Sequence, residues 1–253
     1  MIFTSGTKKP KIHSSAYVAP TATVSGDVTI GASCAILHGA VIVAEGAPVT
    51  VGADTVVMEN AVLKASGGTA VQFPLSIGKN CLIGPHAYVV GAGIGDGCFV
   101  ASGARVFNGA KIGTACTVAA GAIVHVGTQI APGSTVPMQH VAHGNPATIY
   151  APEKSREVHE KLDFYADVFN LEPGDDVRAR AAETYARFLR KTHAQDARLD
   201  DHRTARAAAA PRRGEEPPPT QSADVGKVVD VMMLELEEME RRREEAIRRQ
   251  KGK

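Results

Sequence analysis

The sequence predicts a mainly β fold, in which a parallel β-helix of hexapeptide repeats is followed by C-terminal α-helices. The first observation is an aliphatic residue that recurs every six residues over a long stretch. A period of two indicates strands and a period of 3.6 indicates helices, whereas a period of six is typical of hexapeptide β-helices. In the most regular part the repeated position holds Val100, Val106, Ile112, Val118, Val124 and Ile130.

Composition and charge give two further observations. The chain has no Trp, 5% aromatic residues and 25 Gly, so its core must be built from small aliphatic side chains. Before Pro152 there are 7 Lys or Arg and 5 Asp or Glu, whereas from Glu153 onward there are 21 and 22. A charge-poor part is therefore followed by a heavily charged part, which predicts two different architectures.

The repeat runs from about Val18 to about Val136, and we assign residues 1–150 to the β-helix. Each hexapeptide forms one flat side of a triangular rung, with its aliphatic residue pointing inward. Rungs stack about 4.8 Å apart through backbone hydrogen bonds. Because each rung buries its neighbours, a single repeat is not stable alone.

Two interruptions break the repeat. Extra residues at Glu45–Thr50 predict a small outward loop, and Lys64–Ser76 predicts a longer excursion. Loops that project from a rigid solenoid often build its binding surface.

The four cysteines share one small-residue position of the repeat, four places after the aliphatic residue. That position alternates between Cys, Ala, Thr and Ser along the chain. We therefore interpret the cysteines as small buried residues rather than as metal or redox groups. They are Cys34, Cys81, Cys98 and Cys116.

Residues 151–206 are predicted to form a helical region that packs on or beside the β-helix. Apolar residues spaced by three and four indicate a helix over Glu153–Asn170. Asp175 and Asp176 are suited to cap a second helix, which we expect to reach about Leu199.

The last part of the chain has a different composition. Residues 207–223 combine an alanine run with clustered prolines and charges, which predicts a disordered linker. Residues 224–253 predict a charged terminal helix, either a solvated single helix or a coiled coil. These C-terminal helices are where a protein partner is expected to bind.

Charge and hydropathy exclude several classes of protein. The net charge is +1, which gives no indication of nucleic-acid binding. No run of about 18 apolar residues is present, so no segment is expected to span a membrane. The first residues lack the apolar stretch of a signal peptide, and four cysteines without a signal favour a reduced compartment. We therefore expect a cytoplasmic protein.

Both ends of the predicted β-helix resemble the γ-class carbonic anhydrase-like proteins. The opening segment Ile12–Pro20 is followed by Gly26-Asp27-Val28, and the exit reads Gly144-Asn145-Pro146-Ala147. The likeness covers about Ile12 to Leu162. It implies a left-handed β-helix and a homotrimer whose active sites lie between neighbouring subunits.

The resemblance also identifies the positions of the family's zinc ligands. That family holds zinc through three histidines, which leaves a fourth position open for water. The corresponding positions here are Lys64, Pro85 and Val90. Because none is a histidine, we expect no bound metal, no cofactor and no carbonic anhydrase activity.

Other polar residues could still act at the family's cleft. Glu59 keeps an acidic residue of the family's pattern, and Asn60 follows it as in many relatives. With Lys64 and His86, these are the candidate catalytic residues. His38 shares the repeat position of Pro85 and His125 that of Val90, but both are expected on other rungs, too far apart to complete a zinc site.

Two functions remain in competition, with a third less favoured. The first is a trimeric γ-carbonic-anhydrase-like protein without that activity, which serves as a binding or scaffold module. The alternative is a hexapeptide-repeat acyltransferase with His86 as general base. Against it, Thr114–Thr148 contains no Lys or Arg to meet the phosphates of coenzyme A. An authentic zinc-dependent carbonic anhydrase is the third.

Overall fold

The computed structural model describes residues 1–67, 71–161, 164–169, 171–172, 174 and 176–199. It confirms a mainly β chain that forms a parallel β-solenoid of about eight turns, with a short helical part towards the C-terminus. Residues 207–223 and 224–253, for which a linker and a terminal helix were predicted, lie outside the described residues. No described helix combines the length and hydropathy needed to cross a bilayer.

Three parallel sheets form the faces of the solenoid, and their strands are numbered in chain order. Face A contains β1 (Ile2–Ser5), β4 (Thr23–Ser25), β7 (Val41–Ala44), β10 (Val62–Gly67), β14 (Tyr88–Val90), β17 (Arg105–Val106), β20 (Ile123–Val124) and β23 (Val141–His143). Face B contains β2 (Lys11–Ile12), β5 (Val28–Ile30), β8 (Val49–Val51), β12 (Leu75–Ile77), β15 (Gly93–Ile94), β18 (Lys111–Ile112) and β21 (Gln129–Ile130). Face C contains β3 (Tyr17–Val18), β6 (Ala35–Ile36), β9 (Val56–Val57), β13 (Leu82–Ile83), β16 (Phe99–Val100), β19 (Thr117–Val118) and β22 (Thr135–Val136).

The first rung begins earlier than the repeat predicted. β1 pairs in parallel with β4, so Ile2 lies beside Val24, well before Val18. The apolar repeat did not indicate this strand because Ile2–Ser5 holds only partly buried residues.

The core is a column of aliphatic side chains, one from each side of each rung. The repeated residues Val100, Val106, Val118 and Val124 are at most 1% exposed. Full burial of such a side chain stabilises the fold by about 1.5–3 kcal/mol. The prediction that the aliphatic residue of each repeat points inward is therefore confirmed.

All four cysteines are buried and free. Each thiol donates to a backbone carbonyl of the next rung, for example Cys98 Sγ to Gly113 O at 3.0 Å. Thr55 occupies the same column and donates through Oγ1 to Gly78 O at 2.9 Å. Burial raises the pKa of the Cys116 thiol, so this group is held neutral. The prediction that the cysteines are buried is confirmed, and their thiols also satisfy carbonyls at the corner.

The longer interruption forms a β-hairpin rather than an irregular excursion. β10 continues to Gly67, and β11 (Gln72–Phe73) returns antiparallel to it. Phe73 packs over Gly91, where a Cβ would lie 2.5 Å from the Phe73 Cβ. Gly91 therefore allows the hairpin to lie directly against the solenoid.

The helical part follows an antiparallel strand, β24 (Thr148–Tyr150), which pairs with β23. A 3₁₀ turn spans Pro152–Lys154, and the helices are α1 (Ser155–Glu160), α2 (Phe164–Phe169) and α3 (Val177–Thr192). Where one helix over Glu153–Asn170 was predicted, the structure describes the 3₁₀ turn, α1 and α2.

The predicted end of the second helix is wrong. α3 ends at Thr192, and Asp196–Leu199 forms strand β25. β25 pairs antiparallel with β1, with Ile2 opposite Leu199 and Ser5 opposite Asp196. The backbone groups of Asp196–Leu199 thus bond to the edge of face A, a partner that a local pattern cannot indicate.

Candidate functional site

The predicted general base, His86, lies in the corner between faces C and A rather than on a strand. β13 ends at Ile83 and β14 begins at Tyr88, so Gly84–Ala87 forms the turn. His86 adopts φ +57°, and its backbone N–H donates to Glu59 O at 3.0 Å. We call Glu59, Asn60, Pro85 and His86 the His86 corner.

The His86 corner brings three of the four candidate residues to adjacent rungs. Glu59, Asn60 and His86 are all exposed. The Asn60 amide points towards the preceding rung, since a Cβ on Gly39 would lie 2.1 Å from its Oδ1. The His86 imidazole makes no hydrogen bond with any residue in the described part of the chain. It is therefore open to a ligand, as a general base must be.

Lys64 does not join this corner. It lies at the other edge of face A, on β10, where its side chain is only 19% exposed. Its Nζ lies 2.8 Å from Glu45 Oε2 and donates to the Tyr185 hydroxyl at 2.7 Å. The Tyr185 hydroxyl in turn donates to Glu45 Oε1 at 3.0 Å. These three side chains form a closed triangle between the solenoid and α3.

A histidine and an aspartate extend this triangle towards solvent. His193 Nε2 lies 3.6 Å from Glu45 Oε2, and His193 Nδ1 lies 2.7 Å from Asp196 Oδ2. We call Glu45, Lys64, Tyr185, His193 and Asp196 the polar clasp. Because the Glu45 side chain is only 5% exposed, its carboxylate depends on these partners for compensation.

The electrostatics of the clasp keep Lys64 charged. Burial alone would lower the pKa of Lys64, but its hydrogen bonds to Glu45 and Tyr185 outweigh burial and raise the pKa. Burial raises the pKa of Tyr185, so the phenol remains a neutral donor. Lys64 is therefore an ammonium ion bonded to Glu45, which leaves it poorly placed to act as a base.

The three positions equivalent to zinc ligands do not all lie together within one chain. Lys64 and Val90 are direct neighbours in register, whereas Pro85 lies in the His86 corner. Val90 is 6% exposed. In the described ranges, no three His, Cys, Asp or Glu side chains converge where a metal could bind. The expectation of a metal-free protein stays a prediction.

The other histidines lie where the repeat predicted. His38 is two rungs before Pro85, with its Nδ1 2.8 Å from Thr21 Oγ1. His125 is two rungs after Val90 and contacts the rings of Phe107 and His143, with centroids 5.8 and 5.7 Å away. Neither lies beside His86 or Lys64.

Sequence reasoning missed most of the polar clasp. Tyr185 lies on α3, where its ring contacts those of Phe169 and Phe188. Its hydroxyl role depends on Glu45 and Lys64, more than a hundred residues away. The one available signal was Glu45, an acidic residue in a charge-poor stretch.

A family model matches the middle of the solenoid. Residues 74–108 and 93–125 match the model described as the hexapeptide repeat of succinyl-transferase. The matched region includes the His86 rung and the two rungs after it. Curated protein sequences gave no match.

Several solved structures are similar to parts of this chain. A GDP-perosamine N-acetyltransferase from Caulobacter crescentus, in complex with coenzyme A and GDP-perosamine, is 26% identical over 53% of this chain, with a TM-score of 0.39. The match spans 57% of that protein. A hexapeptide transferase family protein from Anaplasma phagocytophilum is 18% identical over 77% of this chain and 98% of its own, with a TM-score of 0.39.

A third structure is a UDP-N-acetylglucosamine acyltransferase from Francisella novicida. It is 13% identical over 74% of this chain and 85% of its own, with a TM-score of 0.40. The resemblance to the γ-class carbonic anhydrase-like proteins stays an interpretation of the sequence.

Proposed function

We propose that this protein is a hexapeptide-repeat acyltransferase in which His86 acts as the general base. One observation carries the proposal: His86 is exposed in a solenoid corner inside residues 74–125, where the succinyl-transferase repeat model matches. The alternative function from the sequence is therefore favoured over the scaffold.

The reaction would need little beyond this imidazole. His86 accepts the proton of an acceptor hydroxyl or amine as that atom attacks the thioester carbonyl of acyl-coenzyme A. The carbon–sulfur bond then breaks, and the thiolate leaves with a proton returned by His86. A positioned base of this kind contributes about 10²- to 10⁴-fold to the rate.

The test is acyl transfer from acetyl- and succinyl-coenzyme A to a panel of amines and alcohols. The release of free thiol measures the rate. We expect His86→Asn to lower kcat by about 10²-fold or more. The matched control is His38→Asn, which lies two rungs away at the repeat position of Pro85. Equal activity of wild type and His86→Asn would exclude the proposed base.

The second candidate is the non-catalytic γ-carbonic-anhydrase-like trimer that acts as a binding module. The observation in its favour is Lys64, which occupies the first zinc-ligand position as an ammonium ion bonded to Glu45. A protein partner would then bind through the C-terminal helices.

Metal analysis separates this candidate from a zinc enzyme. We expect less than about a tenth of an equivalent of zinc per chain, because a Lys ammonium has no lone pair and Val and Pro side chains carry no ligand atom. The triple variant combines Lys64→His, Pro85→His and Val90→His, and it should gain about one zinc per chain if the alignment is correct. Stoichiometric zinc in the wild type would contradict the expectation of a metal-free protein.

A further inference from the structure

The outer surface of face A beside the His86 corner carries one arginine, Arg105. Arg105 precedes the buried Val106, so it points outward by strand alternation, and it is exposed. The outward positions on the last four strands of face A contain no carboxylate. They are Tyr88, Val90, Arg105, Phe107, Ile123, His125, Val141 and His143.

Arg105 has no compensating charge among the residues that the structure describes. Within the described part of the chain its guanidinium takes part in no ion pair or hydrogen bond. Its register neighbours are Tyr88 and Ile123, neither of which is an acidic residue. An uncompensated Arg between apolar and aromatic groups gives this surface a positive potential.

The register places this guanidinium close to the proposed base. Arg105 lies directly opposite Tyr88, and His86 is two residues before Tyr88. Neighbouring strands of a sheet are about 4.8 Å apart, and the turn that holds His86 leads directly into Tyr88. The long Arg105 side chain and the His86 imidazole can therefore reach one small molecule.

A row of rings borders the same surface. Tyr88, Phe107, His125 and His143 are in successive contact, with centroid distances of 6.3, 5.8 and 5.7 Å. All four are partly exposed. Rings beside a cation exclude water from one side of a bound anion, which strengthens the ionic hydrogen bonds it accepts.

We infer that Arg105 binds the carboxylate or phosphate of a small anionic acyl acceptor whose hydroxyl or amine is placed at His86. This inference rests on the proposed function for the role of the ligand as an acceptor. The planar guanidinium suits it to both anions, because it donates two parallel hydrogen bonds to carboxylate or phosphate oxygens.

The experiment compares three amines that differ in their anionic groups: serinamide, serine and O-phosphoserine. Their dissociation constants are measured by titration calorimetry with the full chain at low ionic strength. We expect serine or O-phosphoserine to bind at least about tenfold more tightly than serinamide, as charge-assisted hydrogen bonds imply. Equal affinity for serine and O-phosphoserine identifies the carboxylate that they share as the bound group, whereas tighter binding of O-phosphoserine identifies its phosphate.

The Arg105→Gln variant should lose this preference, while its weak affinity for serinamide stays within about twofold. Lys111→Gln, an exposed lysine on the next strand along the chain, serves as the control and should bind like wild type. Arg105→Lys, which keeps the charge but not the planar fork, should recover part of the affinity.

Two outcomes overturn the inference. One is that Arg105→Gln binds the anions as tightly as wild type, and the other is that wild type shows no preference for them at millimolar concentration. If the anion preference depends on Arg105 but His86→Asn leaves acyl transfer unchanged, the anion site stands and the proposed catalytic role fails. Binding and turnover therefore separate the two proposals.

Discussion

Replacing Lys64 by Met would remove the ammonium ion of the polar clasp and leave the Glu45 carboxylate, 5% exposed, without its main counter-charge. Removal of one partner from a buried ion pair costs about 3–5 kcal/mol. Here Tyr185 still donates to Glu45, and His193 lies 3.6 Å away. Because these groups compensate part of the charge, we expect a smaller loss of about 2–3 kcal/mol.

The loss should appear where α3 is held against the solenoid. Hydrogen exchange of the α3 amides measures the free energy of that local opening. A change of 2–3 kcal/mol corresponds to exchange faster by about 30- to 150-fold. In the double variant Lys64→Met with Glu45→Gln, no buried charge is left alone, so exchange should return towards the wild-type rate.

The control variant is Arg187→Met, on the same helix. It removes the ion pair with Glu183, in which both side chains are more than 70% exposed. Such surface pairs contribute about 0.3–0.5 kcal/mol, so α3 exchange should change by about twofold. If Lys64→Met speeds exchange no more than Arg187→Met, the clasp does not hold α3 and our reasoning about the buried carboxylate is refuted.

Three further predictions concern assembly, truncation and pH. We expect a homotrimer by light scattering and a smaller species for Phe99→Glu, because Tyr17, Leu82 and Phe99 are 51, 47 and 42% exposed on face C; a wild-type monomer would contradict this. Deletion of residues 207–253 should lower the melting temperature by less than about 2 °C, since each rung is stabilised by its neighbours; a large loss would place that segment in the fold. Wild type should be more thermally stable than Lys64→Met up to about pH 10, and this difference should decline as the pH passes the raised pKa of Lys64. Loss of the difference at neutral pH would refute this prediction.

The solenoid could be predicted because its rules are local. Each hexapeptide repeats the same alternation, so the inward position of Val106 or Val118 follows from a few neighbouring residues. The column shared by Cys98 and Cys116 follows from the same phase, and so does the position of His125 relative to Val90.

The polar clasp and the end of α3 could not be predicted because they depend on contacts between distant parts of the chain. Helical spacing gives no sign that the Tyr185 hydroxyl bonds to Glu45, which lies 140 positions earlier in the sequence. Likewise, Asp196–Leu199 is a strand because β1 offers it an edge, not because its residues favour one. His86 lies in a corner because β13 ends at Ile83 and β14 begins only at Tyr88.

The pairing of β25 with β1 has a consequence for how the protein is made. Synthesis runs from the N-terminus, so the rungs can stack in order as they leave the ribosome, and each covers the one before it. The outer edge of the first rung is different, because its partner, Asp196–Leu199, is among the last described residues to emerge. Until then that edge presents unpaired backbone groups, and it is where a nascent chain can pair with another strand. Chaperone binding during translation is therefore expected to concentrate on Ile2–Ser5.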